Sequence, residues 1–413
     1  FNYPGEKPIL DKELILPDQY TGWGGGIGMG DVEYIHLKGL TVRHVHQSPP
    51  NYTRTWKPYS EVGGIGCAPC ANIIYENLVV HDIDGRGFQH WSGAWSDLDA
   101  QYAVDVGNQD ERQEPYFQSD NTTWINCDAY NLFDRYDDSP GNAADGWKVE
   151  TYYAGTFHWI NCRAFNYSDD GFDPHGSGKR IFDGCWAIAT DKYSGLTDLW
   201  GMEQNGFKMT GVIPDVVPNY EVGGESLVIV RNSLAADCAG SGIVNNIVVG
   251  YEENNQWPNN GILYNNLAYK DGMGYHDKNG STYFNNVVYD SQDIEATGTK
   301  YEVYLYYAWI NGSNNTWIYY PFSGDWWWKY NPAYNVTDAD FISLDTLQLM
   351  SQRKSDYSLP DVTFGHLAQG SDLIDAGTII LGYHCATAGP HPGQNCREWY
   401  GSAPDLGPFE SNY

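Results

Sequence analysis

Short runs of β-branched and aromatic residues, each with an asparagine or glycine near its middle, recur along most of this chain. They read NIIYENLVVHDI from Asn72, TWINCDAYNLFD from Thr123, FHWINCRAFNYSDD from Phe157 and RIFDGCWAIATD from Arg180. LVIVRNSLAADC from Leu227, GIVNNIVVGY from Gly242, GILYNNLAYKD from Gly261 and TYFNNVVYDS from Thr282 continue the series. Asn246, Asn266 and Asn286 stand 20 apart, and Asn161 and Asp183 stand 22 apart. A period of about 20–25 residues, built of short strands with no helical periodicity between them, predicts coils of a parallel β-solenoid. The leucine consensus of leucine-rich repeats is absent, and a β-propeller blade needs about 40 residues. The expected fold is all-β, a right-handed parallel β-helix forming one domain over residues 1–413.

Within that domain the core coils are expected over about 30–296. From 298 to 335 the sequence turns strongly aromatic (YEVYLYYAWINGSNNTWIYYPFSGDWWWKYN), which predicts an insertion that packs on the helix flank or stacks on sugars. The segment 336–413 is expected to pack on the solenoid or complete it. The repeated Asn-Asn pair reads as a turn whose amides bond their stacked neighbours one rung, about 4.8 Å, away.

Composition narrows the partners. With 53 acidic and 23 basic residues the formal charge is -30, which repels nucleic acid and anionic membranes and attracts cations. No stretch reaches the roughly 20 apolar residues of a membrane span. Eight cysteines are too few for a disulfide scaffold. Cys67 and Cys70 form a lone C-x-x-C, a weak zinc signal, while Cys385 and Cys396 bracket a Gly/Pro-rich loop and predict a disulfide. Together with seven N-x-S/T sequons and a first residue, Phe1, that suggests a processed N-terminus, this points to secretion. A monomer is expected.

One motif carries chemistry. DGWK at Asp145, DGFD at Asp170 and NGFK at Asn205 recur, the first two 25 residues apart and the third 35 further on, with an insertion after Thr190. Stacking would set Asp145 over Asp170 and Lys148 over Asp173, with Lys208 one rung beyond. Carboxylates Asp145, Asp169, Asp170 and Asp173 gathered in this way repel one another and require a counter-charge. A hard divalent cation that takes 6 to 8 oxygens meets that need, which favours Ca2+ over Mg2+ or zinc. Lys148 and Lys208 either neutralise Asp173 or, beside a bound cation that lowers an amine's pKa, supply a general base.

The motifs NAADGW at Asn142, NCRAFNYSDDGFD at Asn161 and NGFKMTG at Asn205, with VRNSLAADCAGSGIVNN at Val230, resemble polysaccharide lyase family 9, the parallel β-helix pectate lyases. The resemblance runs over about 126–286. It implies that Asp145, Asp169, Asp170 and Asp173 bind Ca2+ and that Lys208 is the Brønsted base of a β-elimination on a uronate polysaccharide. Lys148, Asn205, His175, Arg163, Arg180 and Arg231 are candidate substrate contacts, with a structural role as the alternative for each arginine. Family members commonly carry tryptophan where Phe172 stands and lysine where Glu150 stands, so the substrate is left open between polygalacturonate, rhamnogalacturonan and other uronate polymers. Two other readings compete: an inverting β-helix glycoside hydrolase, faintly echoed in DPHG at Asp173, and a non-catalytic Ca2+-binding carbohydrate-binding solenoid.

Overall fold

The computed structural model describes residues 6–13, 25–47, 62–68, 70–91, 119–136, 140–151, 154–176, 178–190, 204–211, 227–247, 260–277, 281–292, 303–305, 311–319, 328–330, 333–391, 394 and 396–412. The chain winds through three nine-stranded parallel sheets, one strand in each per turn. The first sheet runs from Ile9–Asp11 to Val287–Tyr289, the second from Ile27–Met29 to Val303–Leu305, and the third from His36–Lys38 to Asn311–Ser313. This is the right-handed parallel β-helix the repeats predicted. The hand is the one nearly all parallel crossovers take. Among the described residues no helix is long and apolar enough to cross a membrane.

Strand pairing shows why the period was uneven. Ile125 pairs Ile160, Ile160 pairs Asp183, Asp183 pairs Arg231 and Tyr264 pairs Phe284, so only the tightest coils keep 20 to 23 residues. The sharp turn from the third sheet to the first is the constant element. Asn77, Asn126, Asn161, Asn232, Asn265, Asn285 and Asn314 occupy it at φ between 50 and 58°, and Gly184 takes the same place at 66°. Asparagine is the side-chain-bearing residue that enters the left-handed region most cheaply, and its amide then bonds the next rung. Asn126 donates to Asn77, and the adjacent Asn266 and Asn286 donate to Asn286 and Asn315. Asn246 does not belong to this ladder. It lies in the second-sheet strand Ser241–Ile247 opposite Thr210, so its spacing of 20 from Asn266 is coincidental.

Inside the coil, aromatic side chains stack rung on rung. Phe88, Trp147, Phe172 and Phe207 form one column at centroid spacings of 4.9, 4.7 and 4.8 Å. Tyr75, Trp124, Trp159 and Phe182 form a second. Each stacked pair adds about 0.5–1.5 kcal/mol beyond its buried area, so these columns hold neighbouring rungs in register.

The coils begin earlier and end later than the sequence suggested. Ile9–Asp11 already pairs with Thr41–Val45. Val303–Leu305 and Asn311–Ser313, within the aromatic stretch expected to leave the coil, pair with Met273–Asp277 and Thr282–Phe284 as a last rung. Trp326 and Trp327, and the side chain of Trp328, lie outside the described residues, so the sugar-stacking idea is not addressed. Among the described residues the segment 336–413 adds no strand. It lays Val336, Phe341, Leu349, Phe364, Leu367, Leu373 and Leu406 against the outer face of the first sheet, where Trp186, Ile188, Leu234, Leu267 and Val287 are buried.

Candidate functional site

Four consecutive rungs enter the second sheet through the same local pattern, a variable residue, glycine, an aromatic and a second variable residue. They are Arg86-Gly87-Phe88-Gln89, Asp145-Gly146-Trp147-Lys148, Asp170-Gly171-Phe172-Asp173 and Asn205-Gly206-Phe207-Lys208. Gly87 N–H donates to the Asp145 carbonyl at 2.8 Å, Gly146 N–H to Asp170 and Gly171 N–H to Asn205, both at 2.9 Å. The glycine is sterically required: a Cβ at Gly87 or Gly171 would sit 2.6 Å from the carbonyl oxygen of Gly146 or Gly206, and at Gly146 closer still. The aromatic points inward to its column, and the variable residues are left for the outer side.

Register therefore builds the site. Trp147 lies opposite Phe172, Lys148 opposite Asp173, and Phe172 opposite Phe207, which puts Lys208 one rung past Asp173. Oxygens of Asp145, Asp169 and Asp170 gather within 4.8 Å of one another, all three residues buried. At that separation each like-charge pair costs on the order of 3 kcal/mol at an effective dielectric near 20. Burial, then the neighbouring carboxylates, push Asp145 and Asp169 above the usual carboxylate range. Burial pushes Asp170 up to about 7 against the opposing charge of Lys208.

The cluster is partly neutralised from within. Lys208 Nζ donates to Asp170 Oδ2 at 3.0 Å, and Asn205 Nδ2 donates to Asp170 Oδ1 at 2.8 Å. Asp173 lies beside this group, and its charge helps to raise Asp145 and Asp170. It is ion-paired to Lys148 and stands 2.6 Å from His175 Nε2, and these charges overcome burial to hold it well below the usual range. Burial would lower Lys148, but Asp173 and Asp145 raise it. The structure thus brings three of the four expected carboxylates into one group and gives the fourth Lys148 and His175 as partners.

The donor set fits a hard divalent cation. The three residues offer only carboxylate oxygens, and Asp169 Oδ1 is buried without any hydrogen-bond partner. A second acidic grouping, Asp11, Glu13 and His44, is more exposed, and Arg43 already pairs with Asp11 at 2.8 Å. Cys67 and Cys70, the weak zinc signal, are bonded to each other, and Cys385 pairs with Cys396 as expected.

The three arginine candidates lie elsewhere, for physical reasons visible in their partners. Arg163 is buried against the C-terminal segment, donating to Asp128 at 2.8 and 2.7 Å and to the carbonyls of Leu349 and Ser351. Arg180 points into the lumen in the column of Phe157 and Val228, with Nη1 donating to the Pro174 carbonyl and burial pushing it down to about 9. Arg231 pairs with Asp183 at 2.7 Å and lies over the Tyr383 ring. None reaches the carboxylate group. Sequence reasoning missed Arg86, whose Nε lies 3.7 Å from Asp145 Oδ2. Its signal was the Gly-Phe of RGFQ, which repeats the motif without an acidic residue. The side chain of Glu150 and the insertion at 191–203 lie outside the described residues.

Fold and site together define a parallel β-helix protein with a buried cluster of carboxylates beside a lysine. The chain belongs to the Pel9A-like right-handed β-helix family, which matches it over residues 1–286. It is 27% identical over 296 residues to pectate lyase L of Dickeya dadantii (strain 3937) and equally so to pectate lyase L of Dickeya chrysanthemi. Each match takes in 70% of this chain and 56% of the relative, so the chain spans little more than half the length of those proteins. Among solved structures it resembles the crystal structure of pectate lyase Pel9A, with a TM-score of 0.60 and 22% identity over 94% of this chain and 73% of that one. A rhamnogalacturonan lyase superposes with a TM-score of 0.57 and 22% identity over 89% of this chain and 78% of the other. At that identity the likeness to both is one of fold.

Proposed function

We propose that the protein is a Ca2+-dependent lyase that cleaves a uronate-containing polysaccharide by β-elimination. The observation that carries this reading is the convergence of Asp145, Asp169 and Asp170 with Lys208 one rung away. Asp145, Asp169 and Asp170 would hold the cation, with Asp173 beside them. A bound Ca2+ supplies positive charge next to the substrate carboxylate, acidifying the adjacent C5 proton and offsetting the charge that develops there. Lys208 in its neutral form takes that proton. The C5–H electrons form the C4=C5 double bond, the C4–O glycosidic bond breaks, and the departing oxygen gains a proton from water. Asn205 orients Asp170 through its amide, and Lys148 with His175 fixes Asp173.

The relatives named pectate lyase and the rhamnogalacturonan lyase neighbour support a pectic polymer as the substrate class. The two disulfides support an oxidising, extracellular location. The test is the ultraviolet absorbance of unsaturated uronide on polygalacturonate and rhamnogalacturonan, with Ca2+ and with EGTA. Chromophore that forms only with Ca2+ supports the reading. New reducing ends without chromophore would make the protein a hydrolase, and no cleavage of any uronate polymer would make it a binding module.

A further inference from the structure

The rung that precedes Asp145 carries no carboxylate in the repeated turn. It carries Arg86 in the column of Asp145, Asp170 and Asn205, and Gln89 in the outward column of Lys148 and Asp173. Both side chains hold donors with no hydrogen-bond partner. Gln89 is 2% exposed and its Nε2 makes no hydrogen bond, and Arg86 Nε is buried and makes none either. Arg86 is also the loosely held cation of the site. Its Nε stands 3.7 Å from Asp145, whereas Lys208 stands 3.0 Å from Asp170. Its side chain is 15% exposed, so the group reaches the surface.

Beyond Gln89 the outward column continues as Gly66 and Gly28. A Cβ at Gly28 would meet nothing within 4 Å. Gln89 lies over Gly63 and Gly66, where a Cβ would come within 2.8 and 3.7 Å of its Oε1, and past it the strand is bare backbone at Gly28. A polymer running along the sheet passes one rung about every 4.8 Å, a step close to the length of one pyranose.

We propose that Arg86 and Gln89 form a second carboxylate subsite, one rung before the acidic cluster, that grips the uronate next to the one that reacts. The proposal rests on the lyase reading above and adds to it a substrate-positioning residue. A planar guanidinium is suited to a carboxylate because its N–H groups match the two oxygens. The subsite explains how a protein of charge -30 engages a polyanion beyond the single cation.

The experiment compares wild type with Arg86→Gln, Arg86→Lys and Gln89→Leu. KM, kcat and melting temperature are measured on polygalacturonate, together with the Ca2+ Kd of each protein without substrate. The Kd of trigalacturonate is measured by calorimetry with each change placed in a Lys208→Ala background. Arg86→Gln is expected to raise KM and the trimer Kd about tenfold or more, the effect of one lost charge-assisted contact, while kcat and the Ca2+ Kd stay within about threefold. Arg86→Lys is expected to recover part of that loss, and Gln89→Leu to share it at a smaller size. Unchanged KM and trimer Kd in Arg86→Gln overturn the subsite. So does weakened Ca2+ binding or a lowered melting temperature that accounts for the loss, since Arg86 would then only support Asp145. Wild type that neither binds nor cleaves uronate oligomers overturns the lyase reading and the subsite with it, whereas active wild type with an indifferent Arg86→Gln overturns the subsite alone.

Discussion

Lys208 Nζ donates to Asp170 Oδ2 at 3.0 Å, so the proposed base and a proposed cation ligand share one carboxylate oxygen. A cation bound at Asp170 would compete with the ammonium for that carboxylate. A cation that takes Asp170 removes the partner that favours charged Lys208 and adds a repelling charge, and both effects favour the neutral amine.

Lys208→Ala is expected to reduce turnover by about 10²- to 10⁴-fold, the range for loss of a general base. Ca2+ binding should be retained or tightened, because the competing ammonium is gone. Steady-state kinetics and calorimetry check the two halves. A variant that keeps its turnover rules out Lys208 as the base.

Asp169→Asn should have effects of opposite sign with and without metal. In EGTA it removes a buried charge whose Oδ1 has no partner, and the melting temperature should rise by an amount equivalent to about 1 kcal/mol. With Ca2+ it should lose most of the stabilisation that cation binding gives wild type. Thermal melts under both conditions decide this, and an unchanged Ca2+ response would remove Asp169 from the ligand set.

Stability without metal should fall as the pH rises. Asp145, Asp169 and Asp170 are displaced upward, Asp170 to about 7, whereas unfolded carboxylates titrate near about 4. A raised pKa means the folded state favours the proton, so this contribution is full below about 4 and is lost as the pH climbs through about 7. Asp173 is displaced downward, so its contribution is lost only in acid below that window. Melting temperatures in EGTA across the window, and proton release on Ca2+ addition in buffers of different ionisation enthalpy, measure the effect. A melting temperature that rises across the window would contradict it.

Arg163→Met should destabilise the protein by about 3 kcal/mol, as expected when one partner of a buried ion pair is removed. Protease cleavage should appear within 336–413 because Arg163 ties Leu349 and Ser351 to Asp128. KM at temperatures where the variant is folded should stay within about twofold of wild type, since the residue lies away from the carboxylate group. A large KM change would restore Arg163 to the substrate-binding residues.

The fold was legible because each rung repeats a steric demand in its own residues, asparagine or glycine at the left-handed turn and an aromatic in the stack. The relation of Asp145 to Asp170 and of Lys148 to Asp173 followed from a coil of 25 residues without insertion. For Arg163, Arg180 and Arg231 the sequence left substrate contact and a structural role both open, because charge alone does not say which way a side chain faces. Asp128 and Asp183, the partners of Arg163 and Arg231, come from neighbouring rungs with help from the distant C-terminal segment, and Arg180 meets the Pro174 carbonyl of the preceding strand. Arg86 carries no acidic signature, and the feature shared by all four rungs is the glycine and aromatic between the variable positions.

The column of Phe88, Trp147, Phe172 and Phe207 has a bearing on how such a protein can change. Each ring stacks on the rings directly above and below and meets Tyr75 or Phe182 of the second column edge-on only within its own rung or the next, so the solenoid is stabilised by nearest neighbours. The two residues that flank each Gly-aromatic pair can then be rewritten rung by rung while the scaffold beneath is inherited intact. Arg-Gln, Asp-Lys, Asp-Asp and Asn-Lys are four spellings of one frame, and a new preference along a polymer needs only a different spelling at the rung it meets.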